Sequence, residues 1–137
     1  MGPNLIFVPF AGTMLLTLVV WVVMYYRRIT EIQSRGLTVK TRADLDLLSP
    51  AAVNSSNNLQ NLFELPVTFY ALVLALHATN QVDWIHIICA FAFLAFRVVH
   101  SAIHCTYNDI MQRFSVYVVS SIFLWVMVVR FALAIVT

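Results

Sequence analysis

Arg97, His100 and His104 stand at i, i+3 and i+7 in the stretch FRVVHSAIHCTYNDIMQR. On a helix of 3.6 residues per turn they fall within about 60° of one another and form one ionisable ridge. The stretch closes an apolar run that begins near Trp84. An arginine carried into such a run costs about 3 kcal/mol on insertion scales unless a partner or water meets it. Glu64, on a different apolar segment, is the partner the sequence offers, and Arg113 and Tyr117 open the last apolar run. A carboxylate, two guanidinium groups, two imidazoles and a phenol can hold a charged ligand or stabilise an anion such as a thiolate. His100 and His104 have the i, i+4 spacing of zinc ligands, but there is no HExxH and no third ligand, so no metal is assigned.

These residues must be positioned by a membrane protein. Of 137 residues, 61% are hydrophobic and only 10% charged, whereas soluble domains are nearer half apolar and a quarter charged. The apolar residues come in blocks rather than one-sided stripes. A net charge of +2 with clustered basic residues speaks against nucleic acid and for a membrane face. Cys89 and Cys105 fall on one segment and are too far apart for a disulfide.

Four spans are expected, making a single all-α domain over residues 1–137: an up-down four-helix integral membrane bundle. The first covers about residues 5–26, enough to cross a hydrocarbon layer of about 30 Å, with Tyr25 and Tyr26 at the interface. The loop over residues 27–49 carries Arg27, Arg28, Arg35, Lys40 and Arg42, five of the eight basic residues. The positive-inside rule makes this loop cytoplasmic and puts both termini on the non-cytoplasmic side. The second helix starts with Ser49 as N-cap and Pro50 at its first position. It runs over about residues 50–79, with Asn54, Asn57, Asn61, Glu64 and Thr68 as a polar stripe and Pro66 freeing the Leu62 carbonyl. The third and fourth helices cover about residues 84–104 and 114–136. His77, Asp83 and His86 are read as interfacial groups, and Arg130 as a snorkelling one.

This topology brings the ionisable groups to one depth. The second helix enters from the cytoplasm, placing Asn61 and Glu64 near that face. The third runs the opposite way, with Arg97 about 10 Å before its end and His100 and His104 shallower. Arg113 and Tyr117 begin the fourth. A plainer reading makes Glu64 and Arg97 a structural ion pair and Arg113 a membrane-edge anchor. It leaves the shared depth unexplained.

With these residues in place, the chain resembles MAPEG, the membrane-associated proteins in eicosanoid and glutathione metabolism. Asn61-x-x-Glu64 in NLFELPVTFY matches the family's second-helix motif, and Arg97-x-x-His100 its third-helix motif. Arg113 falls where prostaglandin-synthase-like members carry the arginine that holds the thiolate. Asn57 and Gln60 stand where glutathione-using members carry basic residues, and His104 where a tyrosine is expected. The resemblance implies a homotrimer in the bacterial inner membrane or the endoplasmic reticulum, with sites between subunits that open to the cytoplasm. Glutathione would be the cofactor and Arg113 the catalytic residue, with Asn57, Asn61, Glu64, Arg97, His100, His104 and Tyr117 binding the substrates. A lipophilic electrophile would arrive from membrane lipid.

Three functions are then distinguishable. One is a glutathione-dependent transferase or peroxidase acting on lipophilic electrophiles. A second is a non-catalytic lipid-binding or accessory protein on the same scaffold. A third is a proton-coupled carrier using Glu64, His100 and His104, which the concentration of ionisable groups at one face disfavours.

Overall fold

The computed structural model describes residues 2–136. After a 3-10 turn (Pro3–Ile6) come α1 (Phe7–Arg35), a short α2 (Arg42–Leu45), α3 (Pro50–Asn61), α4 (Leu65–Ala78), α5 (Trp84–Cys105) and α6 (Ile110–Val136). Four helical stretches are long and apolar enough to cross a membrane: Pro3–Arg35, Pro50–Ala78, Trp84–Cys105 and Ile110–Val136. The described residues form a helical bundle consistent with an integral membrane protein.

Pairs across the helices give the up-down order. The start of α1 meets the end of α4, where the rings of Phe7 and His77 lie 4.8 Å apart. The end of α1 meets α3, where Arg27 donates to Ser55 Oγ at 2.8 Å and Arg28 to Ser56 Oγ at 2.6 Å. Asn58 of α3 sits against Ser101 and Cys105 of α5, while Phe69 of α4 stacks on Phe93 at 4.6 Å. Along α5 and α6, Phe96 stacks on Phe123 at 5.8 Å and Asp83 pairs with Arg130. Each pair of spans consecutive in the chain is therefore antiparallel. Residues from the 3-10 turn, α4, α5 and α6 make the core: Ile6, Phe69, Val73, Leu76, Phe93, Leu124 and Met127 are among its buried side chains.

Helix boundaries differ from the hydropathy reading in three places. First, α1 does not stop at Tyr26. Arg27 and Arg28 end the apolar run, but nothing between them and Arg35 breaks a helix. The stop comes at Gly36, whose left-handed φ of 59° lets Leu37 N–H reach Ile32 O at 3.0 Å. Part of the expected loop is therefore helix, and α2 takes another piece. There the backbone N–H groups of Lys40 and Thr41 both donate to Asp44, at 2.9 and 2.8 Å. These bonds hold the Asp44 carboxyl below the usual carboxylate range.

Second, the helix expected over residues 50–79 is two helices. At Glu64 the backbone leaves the helical region (φ −95°, ψ −104°). Pro66 has no N–H for the Leu62 carbonyl, and its ring displaces the preceding turn. The N–H groups of Phe63 and Glu64 instead reach Gln60 O and Asn61 O, three residues back, at 3.0 and 3.4 Å. Third, α6 begins at Ile110 rather than residue 114. Asp109 caps it by accepting from Gln112 N–H at 2.8 Å.

Ser49 does occupy the N-cap position of α3, but its side chain caps nothing. Its hydroxyl donates to Glu31 Oε2 at 2.6 Å and its N–H to Oε1 at 2.8 Å. The end of α1 is thereby fastened to the start of α3.

Candidate functional site

At the end of the bundle where α3 breaks and α6 begins, a hollow of about 280 Å³ is lined by Asn61, Glu64, His100, Arg113 and Tyr117. Ile110, Met111 and Phe114 supply its apolar side. Four elements contribute. Asn61 ends α3 and Glu64 occupies the break before α4. His100 lies on the buried face of α5, while Arg113 and Tyr117 stand one turn apart at the start of α6.

Arg113 is held from both sides. One guanidinium nitrogen, Nη1, donates to Asn108 Oδ1 at 2.7 Å. Its backbone oxygen lies 3.2 Å from His100 Nδ1. Asn108 adopts a left-handed φ of 49°, which asparagine tolerates better than most residues. Its own N–H bonds Ile103 O at 2.8 Å. The turn between α5 and α6 is thus shaped to present an amide oxygen to the arginine.

Five of the eight residues singled out from the sequence line this hollow, and three do not. Arg97 lies behind it, fully buried, with its guanidinium over the rings of Tyr117 at 4.6 Å and Phe93 at 5.2 Å. None of its three side-chain nitrogens has a hydrogen-bond partner among the described residues. The expected Glu64–Arg97 ion pair is absent. The arginine–carboxylate ion pairs among the described residues are Arg35–Glu31 and Arg130–Asp83, and His86 Nδ1 lies 2.8 Å from Asp83 Oδ1. The break turns Glu64 to the exterior of the chain, so aromatic faces meet the Arg97 charge instead.

His104 is also buried, its ring edge-on to His100 at 5.6 Å, with neither ring nitrogen hydrogen-bonded. Asn57 is exposed and lines a different hollow, beside Arg28 and Arg42. The polar stripe that holds Asn57, Glu64 and Thr68 lies on the outer face of the second span, where these three are exposed. The inward face carries Ala52, Ser55, Asn58 and Leu62 instead.

Sequence reasoning passed over Asn58, Ser101, Asn108 and Asp109. Asn58 is fully buried, accepts from Ser101 Oγ at 3.2 Å and donates to Cys105 Sγ at 3.3 Å. The small residues Ala52 and Ser55 at its own helical spacing were the available signal. For the turn, the signal was Asn-Asp immediately before an apolar run with Gln112 three residues on, a helix-start pattern. Arg130, read from the sequence as a snorkelling residue, has a partner. It pairs with Asp83, whose carboxylate also accepts His86 N–H at 2.9 Å. Burial raises the Asp83 pKa, but the His86 N–H and the Arg130 guanidinium outweigh it and hold the carboxyl below its ordinary value.

The model of the MAPEG family matches residues 6–133. The chain belongs to the MAPEG family. No curated protein and no solved structure matches it. MAPEG includes glutathione transferases and related proteins, commonly uses glutathione and is often trimeric. In this MAPEG chain the family match covers all four long apolar helices almost end to end, and with them every residue of the hollow.

Proposed function

We propose that this MAPEG protein is a glutathione-dependent transferase or peroxidase acting on lipophilic electrophiles. One observation carries the reading: Arg113, fixed by Asn108 and His100, lies in a hollow shared with Asn61, Glu64 and Tyr117. The set fits glutathione by charge. A guanidinium favours a thiolate, a carboxylate receives an ammonium group, and an amide pairs with a peptide bond.

Glutathione supplies the nucleophilic sulfur, a thiol whose unperturbed pKa resembles that of cysteine, about 8.5. Arg113 stabilises the anion and so raises its population at neutral pH. Glu64 and Asn61 orient the peptide, and Tyr117 lies beside the reacting atoms. Ile110, Met111 and Phe114 form the side against which an apolar electrophile packs.

A homotrimer accounts for the exposed Glu64 and Thr68. Glu64 and Thr68 are exposed on the single chain at membrane depth, and an ionisable group left against lipid is costly. A second copy packed on α4 covers them and closes the hollow. The basic loop supports a site that opens toward the cytoplasm, in a bacterial inner membrane or the endoplasmic reticulum.

The deciding test is purified protein titrated with glutathione. Ultraviolet thiolate absorbance that Arg113→Ala removes, with turnover of an electrophile or hydroperoxide, supports the reading. Absence of both overturns it. The placement of Asn57 outside the hollow favours a second reading, a lipid-binding accessory protein. Lipid retained through purification without thiol-dependent turnover distinguishes it.

A further inference from the structure

A second hollow, of about 290 Å³, lies between the end of α1, the short α2 and the first turns of α3. Arg28, Arg42, Ser56, Asn57 and Gln60 line it, with the Asp46 carboxylate as its one acidic member. It is separate from the Arg113 hollow and shares no lining residue with it. We infer that this hollow binds a phosphate-bearing anion, the headgroup of an acidic phospholipid.

Three observations support this assignment. The first is unspent cationic donors. Arg28 commits Nη2 to Ser56 Oγ at 2.6 Å, but its Nε is buried without a partner. The Arg42 guanidinium makes no hydrogen bond or ion pair with any described residue. Two guanidinium groups against one carboxylate leave the hollow net positive, and Asn57 and Gln60 add amide donors.

Depth is the second. Tyr25 and Tyr26, within one turn of Arg28, are 40% and 71% exposed respectively, as suits residues at the membrane–water boundary. Arg28 and the hollow then fall at headgroup level, where phosphates are concentrated.

The third is a preformed wall with two characters. The bonds from Ser49 to Glu31 lock α1 to α3 on one side, and the Lys40 and Thr41 bonds to Asp44 fix α2 on the other. Leu45, Leu48 and Val53 give the hollow an apolar side. A soluble phosphate has no use for that side, whereas the glycerol and first acyl carbons of a lipid do.

The test uses the full chain in non-ionic detergent, with binding followed by native mass spectrometry and thermal unfolding. Phosphatidylglycerol should bind and stabilise where phosphatidylcholine does not. Arg42→Ala should weaken that binding about fivefold, the worth of one arginine near a phosphate surface. Lys40→Ala, a nearby cation outside the hollow, should leave it unchanged. Arg42 is exposed and unpartnered, so its loss leaves the fold intact. Glycerol 3-phosphate that binds as well as the lipid, with the same dependence on Arg42, keeps the phosphate site but assigns it a soluble ligand. Equal losses in the Arg42 and Lys40 variants, or equal binding of the two lipids, overturn the site.

Discussion

The imidazole of His100 lies 3.2 Å, through Nδ1, from the main-chain oxygen of Arg113. A carbonyl only accepts, so Nδ1 carries the proton and the ring is fixed in one tautomer. Asn108 holds the same arginine at its other end, through Nη1. The residue proposed to stabilise a thiolate is thus restrained at backbone and side chain by two different segments.

Replacing Asn108 by Ala frees the Arg113 guanidinium while leaving its charge in place. A hydrogen bond to a charged group contributes about 1.5–3 kcal/mol, so thiolate formation should fall by about tenfold or more. Arg113→Ala should abolish it. Stopped-flow absorbance on the two variants checks the order; an Asn108→Ala protein with unaltered thiolate yield would remove the positioning role.

Asn58 ties α3 to α5 from a fully buried position. Asn58→Ala should lower stability by about 1–3 kcal/mol, because Ser101 and Cys105 lose their partner in a dry setting. Asn58→Asp should cost more, since it introduces an unpaired charge. Thermal unfolding in detergent reads both.

Much of this arrangement is legible in the amino-acid sequence. Apolar blocks gave four spans, and antiparallel order alone brought Glu64, His100, Arg113 and Tyr117 to one level. What could not be read was rotation about each helix axis. The stripe through Asn57 and Glu64 and the face through Ala52 and Asn58 both recur at helical spacing, and only packing decides which turns inward. Hydropathy likewise marks where apolar character ends, not where hydrogen bonding ends, which is why α1 overruns Tyr26 to reach Gly36. The absence of the Glu64–Arg97 pair has a related cause: Pro66 marks a break in the sequence but does not specify the direction in which it swings Glu64.

Asp83 should make the α5–α6 contact sensitive to acid. Its folded pKa is depressed, so the stabilisation is fully present above the unfolded carboxylate value, about 3.9, and is lost as pH falls through the lower folded value. Unfolding midpoints should therefore be flat near neutrality and drop only in acid. Asp83→Asn should lower the neutral midpoint and flatten the acid limb. An unchanged acid limb in that variant would show that Asp83 does not govern it.

Gly12 faces Leu94 so closely that an added Cβ would lie 2.6 Å from Leu94 Cδ2. Leu94 can swing away from one methyl, so Gly12→Ala should be nearly neutral. Gly12→Val should destabilise by about 1–3 kcal/mol through overpacking. Adding Leu94→Ala should recover part of that loss in a double-mutant cycle.

The interruption at Glu64 divides the second span into pieces with separate moorings. Ser49, Ser55 and Ser56 lash α3 to the polar end of α1, whereas α4 is embedded in the aromatic core through Phe69. Glu64, whose backbone leaves the helical region between them, is the joint of the two pieces. The carboxylate at the mouth of the hollow would therefore move with any displacement of α4 against α3.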